Sequence, residues 1–244
     1  MGIGYSTQDV QADQGFVTVE PGTLDICRDV SSHRDWIFTA DTGVLATRVS
    51  LRENMPRLYE HHIRGSSVSY AVAYILSYES VTLFRPSVEF IEEMTRNLGT
   101  VSCRMAMKSV KRFGVCEESE YEPSETEPCY PSISSLMHAA NFKKISYLSV
   151  DFKTMRQAIS MGYPVLMCLQ QSDRAADDAE RGVAVVVVAY DDASCTFEVL
   201  NCAGGELMFG VHHSYSVVPY SVVERDGHSM WIIKTAKYEE VLEI

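Results

Sequence analysis

Residues 59–80, YEHHIRGSSVSYAVAYILSYES, hold the clearest arrangement in the chain that could do chemistry. A polar approach ends in Gly65 and Ser66, and an almost unbroken apolar run follows. That run predicts a helix from 67 to 83, apolar on most faces and therefore central and buried. Ser67 stands where the helix begins, and Gly65 allows the tight turn into it. Either Ser66 or Ser67 can cap the helix with its hydroxyl. A hydroxyl at this place is a candidate nucleophile, but serine attacks at neutral pH only when a base takes its proton. His61 and His62 lie just upstream. His212 and His213 come much later and read as surface or loop residues rather than as a displaced base.

The other reactive residue types are dispersed. Seven cysteines (27, 103, 116, 129, 168, 195 and 202) include no C-x-x-C pair, and their odd number excludes a complete disulfide framework within one chain. Reduced thiols in an intracellular setting are the expectation. Cys103 and Cys202 are candidate nucleophiles with no histidine beside them, so they read as buried, inert thiols. No metal-ligand spacing is present, so neither a metal nor a cofactor is expected. Met105, Met107 and Met155 fall at helical spacing and read as core. The first six residues, MGIGYS, satisfy the myristoylation pattern M-G-x-x-x-[ST], which makes Gly2 a candidate lipidation position. One such chain gives only marginal membrane binding, and no polybasic second signal accompanies it.

The elements that must position these residues divide the chain in two. Residues 1–30 are polar, without periodicity, and read as an extended arm. Residues 43–50, GVLATRVS, are β-prone. After the helix at 67–83, further helices are predicted at 87–98 behind Pro86, at 102–113 with Gly114 as its stop, and at 151–161 between Asp151 and Gly162. Between the last two, residues 116–131 carry six glutamates and three prolines and read as a solvated loop. β-branched runs then predict strands at 163–170, 182–192, 196–202 and 229–235. Helices first and strands second indicate an α+β chain with a helical lobe and a β lobe.

Bulk composition narrows the function. The chain has 244 residues, is 46% hydrophobic and carries a formal net charge of −12. Such a charge opposes binding to nucleic acid or to an anionic membrane by general electrostatics. No run approaches the ~20 apolar residues of a membrane span, and the first residues lack the basic start and apolar core of a signal peptide.

In order and spacing, several segments resemble the papain-like (cathepsin-like) cysteine peptidases, in particular the stand-alone members of microbes and large DNA viruses. SSHRDW (31–36) and VSLRENMPRLYEHHIRGSS (49–67) are similar to the entry segment and nucleophile loop. RPSVEFIEEM (85–94) and VKRFGVCEESEYEP (110–123) are similar to the helical lobe. AISMGYPVLMCL (158–169), RGVAVVVVAYDD (181–192), FEVLNCAGG (197–205) and VVPYSVV (217–223) are similar to the β lobe. The resemblance implies a two-lobe fold over 31–244 behind the arm at 1–30. The helical lobe then covers about 60–140, and the β lobe about 141–244 together with the strand near 43–50.

The resemblance also implies where the chemistry would be. The family pattern C-G-[SA]-C-[WY] falls on Arg64-Gly65-Ser66-Ser67-Val68, so Ser67 occupies the nucleophilic cysteine's position and Val68 that of the aromatic residue. The oxyanion glutamine falls on His61, the catalytic histidine on Val183, and the orienting asparagine is kept as Asn201. The tryptophan that follows that asparagine's serine in the family is replaced by Ala203. Valine accepts no proton. The implied protein is therefore a pseudoenzyme, a pseudoprotease that binds a protein or peptide or serves in assembly, with a particle component of a virus as one form. Its groove would be built from Gly65, Ser66, Ser67, Val183 and Ala203, and its place would be intracellular or in a virion. Two alternatives stay open: an active hydrolase with Ser67 as nucleophile and a non-standard base, and an interaction module using the acidic loop at 117–127.

Overall fold

The apolar run that begins at Ser67 forms a helix with no wet face: Ser67 to Leu76 are all buried. A computed structural model of the chain describes residues 26–39, 43–59, 66–80, 84–121, 130–170, 182–202 and 215–235. Their elements, in chain order, are β1 (Arg48–Ser50), α1 (Ser67–Glu79), α2 (Val88–Arg96), α3 (Cys103–Phe113), α4 (Ile133–Ala139), β2 (Ile145–Ser149), α5 (Phe152–Ser160), β3 (Val165–Gln170), β4 (Gly182–Asp191), β5 (Thr196–Asn201), β6 (Tyr215–Pro219), α6 (Tyr220–Asp226) and β7 (Gly227–Thr235).

The strands form one antiparallel sheet in the order β2-β7-β3-β4-β5-β6, with β1 on β4 beyond the end of β3. β4 is central, and its valine run is buried on both faces. Ala184, Val186 and Val188 pack into one cluster with α1, α2 and α3. Val183, Val185 and Val187 join a second cluster with Met155 and Ile159 of α5 and Val223 of α6. This alternation is the two-residue period of a strand expressed as two cores. Each fully buried valine, leucine or isoleucine contributes about 1.5–3 kcal/mol to holding the layers together.

Helix boundaries follow local chemistry. The hydroxyls of Ser66, Ser87, Ser102 and Ser132 each accept the backbone N–H three residues on, and Asp151 forms a capping box with Thr154. Gly114 ends α3 at φ +86°, and a Cβ there would overlap the Ala139 carbonyl oxygen, so only glycine fits.

The structure corrects the sequence expectations at several boundaries. α1 stops at Glu79 instead of 83, because Ser80 turns extended and Ser77 Oγ bonds the returning Phe84 carbonyl at 2.9 Å. The β-prone segment at 43–50 is strand only at Arg48–Ser50, where it meets β4. Helices α4 and α6 and strands β2 and β6 add to the predicted elements. The described part of the arm is anchored: Ile26 is buried among the α1–α3 cluster, and Cys27 N–H donates to Val101 O at 2.9 Å. Among the described residues no helix is long and apolar enough to cross a membrane.

Candidate functional site

Ser67 is the first residue of α1, and Ser66 before it is the N-cap, with extended backbone and its hydroxyl accepting from Ser69 N–H. Ser67 Oγ accepts the backbone N–H of Ala184 at 3.0 Å, which joins the helix start to the central strand. The residues at 67 and at 183–184, far apart in sequence, therefore meet. Among the described residues no histidine ring hydrogen-bonds Ser67 Oγ; its side-chain partner is that amide. Ser67 is 1% exposed.

Val183 precedes that amide on β4, opposite Leu169 on β3. Its side chain belongs to the second cluster, on the other face from Ala184. Asn201 closes β5, buried and opposite Val185 of β4, two residues along from Val183. The start of α1, Val183 and Asn201 thus come from three elements that converge on one end of β4. His61, Gly65, Ala203 and Gly2, like His62, His212, His213 and most of the acidic loop, lie outside the described residues.

The sequence reading missed Glu92. This buried carboxylate on α2 lies against the start of α1, where its Oε2 accepts Ser66 N–H at 2.9 Å, Ser66 Oγ–H at 2.6 Å and Ser69 Oγ–H at 2.8 Å. Its Oε1 takes Arg96 Nε–H at 2.7 Å. Burial pushes the carboxyl's pKa up, but the serine hydrogen bonds and the Arg96 charge outweigh it and hold the pKa below the ordinary value. A fixed negative charge at a helix N-terminus also suits the helix dipole. The available signal was Ser66 and Ser69 at the head of an apolar helix, two hydroxyls that need a buried acceptor. An i,i+4 Glu–Arg pair reads from sequence as a surface pair.

The structure places both candidate thiols in the interior. Cys103 and Cys202 are buried, and burial raises the pKa of Cys202; contact with Cys168 and burial raise that of Cys103. Neither holds a thiolate at neutral pH. Met107 and Met155 are fully buried, whereas Met105, expected with them in the core, is only half-buried and joins neither core cluster. Among the described residues no group of three or more side chains is arranged to hold a metal ion. A cavity of 310 Å³ lies away from this site, lined by Asp29, Asp35, Arg104, His228 and Trp231 among others, and not by Ser66, Ser67 or Val183.

No protein-family model matches the chain, and no curated protein matches it by sequence. Solved structures do match. The chain is similar to xylellain, a cysteine protease from Xylella fastidiosa, with a TM-score of 0.73 and 21% identity over 91% of this chain and 100% of that one. It is similar to the digestive procathepsin L 3 of the Tenebrio molitor larval midgut, with a TM-score of 0.62 and 15% identity over 87% of this chain and 76% of that one. A Carica candamarcensis cysteine protease matches with a TM-score of 0.51 and 11% identity over 79% and 99% of the two chains. At such identities the likeness is one of fold.

Proposed function

We propose that this chain, whose fold is that of the papain-like cysteine proteases, is a pseudoprotease that binds a protein or peptide or serves as a structural part of an assembly. The observation that carries the reading is Ser67 at the start of α1 with its hydroxyl tied to the Ala184 amide; by the sequence resemblance, the residue before that amide, Val183, takes the histidine's position. A serine hydroxyl needs a base to take its proton, and among the described residues none faces Ser67 Oγ, which accepts the Ala184 N–H. The apolar residue at 183 offers no imidazolium to stabilise a thiolate even if cysteine were restored. The intracellular location is proposed from the dispersed cysteines and their odd number, and the virion location and particle role from the sequence resemblance.

Fluorogenic peptide substrates and thiol-directed epoxide inhibitors test this. The wild-type chain is expected to give neither turnover nor a label at residue 67. Ser67→Cys alone stays about 10²–10⁴-fold below an active papain-like enzyme, the share of the rate that a general base supplies. Robust turnover by the single variant would show that Val183 is not the lost base position and would return the chain to the hydrolases.

Binding is tested separately. In the pseudoprotease reading the partner binds at the groove proposed from Gly65, Ser66, Ser67, Val183 and Ala203, in which the described members Ser66, Ser67 and Val183 are buried and can form only the floor. Val183 is 7% exposed, so a charge there would disturb the core. Ala203→Arg is the better probe, set against Glu122→Lys in the acidic loop. Retention of a peptide library on the immobilised chain is expected to fall about tenfold for Ala203→Arg and to hold for Glu122→Lys. The reverse pattern would assign binding to the loop.

A further inference from the structure

The sulfurs of Cys103 and Cys168 lie 3.2 Å apart, inside van der Waals contact, and both residues are fully buried. Cys103 is the first residue of α3 and Cys168 sits in the middle of β3, so each is held by a regular element. No other pair of described cysteines is in contact: Cys27 and Cys195 are exposed, while Cys116 and Cys202 are buried apart from them. Cys168 stands opposite Ala184 in the β3–β4 ladder, and Ala184 gives its N–H to Ser67. The thiol pair thus joins α3 to the sheet next to the start of α1.

From this contact we infer that Cys103 and Cys168 form a disulfide that staples the helical layer to the sheet when the chain meets a disulfide oxidant. Closing the bond needs about 1 Å of approach, from contact to the ~2.05 Å of a disulfide. With glutathione disulfide as oxidant, one cysteine thiolate attacks it and releases a glutathione thiolate. The second cysteine thiolate then attacks the mixed disulfide, forms the Cys103–Cys168 bond and releases the second glutathione. Two protein thiols are oxidised, one glutathione disulfide is reduced to two thiols, and the two cysteine protons end on the leaving thiolates. Because both sulfurs are covered, the exchange runs during folding or when the layers open. The bond ties residues 65 apart in sequence, a separation at which restricting the unfolded chain has a large effect on stability.

The test uses the full chain with exposed Cys27 and Cys195 changed to serine. It is held with excess glutathione disulfide up to its melting transition, then denatured in N-ethylmaleimide without reduction and mapped by mass spectrometry. The expected result is a linked peptide pair containing Cys103 and Cys168, and a melting temperature about 10 °C above that of the dithiothreitol-treated chain. Adding Cys103→Ser or Cys168→Ser should abolish both the link and the shift. Complete alkylation of both thiols, separate glutathione adducts on them, a link to another cysteine, or a shift that survives the serine variants would each overturn the inference.

Discussion

Glu92→Ala is expected to lower the melting temperature by about 10 °C. Removing the carboxylate strands Ser66 N–H and two serine hydroxyls at the buried start of α1, while exposed Arg96 loses its charged partner but keeps water. Breaking a buried, charge-assisted set by removing one partner costs about 3 kcal/mol or more. In a chain of this size each kcal/mol moves the transition by about 2–4 °C. The pH dependence gives a second readout. The folded-state pKa of Glu92 lies below its ordinary value, so the unfolded chain binds its proton more readily. The contribution is fully present above the unfolded carboxyl pKa of about 4.3, and it is lost as pH falls through the lower folded value. Urea melts should therefore show the gap between wild type and Glu92→Gln at its full size above about pH 5 and closing in acid. An equal melting temperature for Glu92→Ala, or a gap unchanged down to pH 3, would remove Glu92 as the support of the helix start.

How much of this was legible in the sequence depended on whether a residue's partner is local. The helices now seen as α1, α2, α3 and α5 announced themselves through serine or aspartate caps followed by apolar residues, and Gly114 and Gly162 marked two of their ends at positive φ. β4 could be read because nine of its ten residues are buried, which leaves an uninterrupted apolar run in the sequence. α4 was passed over because its apolar residues Ile133 and Met137 face solvent, so they mark no core stripe. α6 was passed over because YSVVERD is rich in β-branched residues and follows Pro219, which reads as part of the β lobe. At the site, Ser66 and Ser67 were visible from their place before the helix. The amide of Ala184 was not, because a backbone donor carries no residue-type signal. Position 183 became meaningful only through resemblance, since a valine inside a valine run has no mark of its own. The Cys103–Cys168 contact was invisible for a related reason: two isolated cysteines become a pair only when a helix start and a mid-strand position are placed side by side.

Deleting residues 1–30 is expected to lower the melting temperature by about 10 °C. The described end of this arm is part of the core. Ile26 is 1% exposed, and burying such a side chain is worth about 2–3 kcal/mol. Asp29 works as a junction: its carboxylate accepts Arg104 N–H in the first turn of α3 and Trp231 Nε1–H at 2.8 Å, while its own N–H donates to Ser229 Oγ at 3.0 Å. One short segment thereby satisfies a helix N-terminus and a buried indole N–H on β7, and each donor left stranded costs about 1–3 kcal/mol. Asp29→Ala should reproduce part of the loss, with a red shift in Trp231 emission read in a Trp36→Phe background, because Trp36 is 79% exposed and would otherwise mask it. The described residues of the arm rest on α3 and β7, away from the start of α1. They are packed as part of the fold, so their loss should register as instability and, under the proposed pseudoprotease reading, not as gained activity. An unchanged melting curve for the deletion, or hydrolysis of peptide substrates by the shortened chain, would refute this account of the arm.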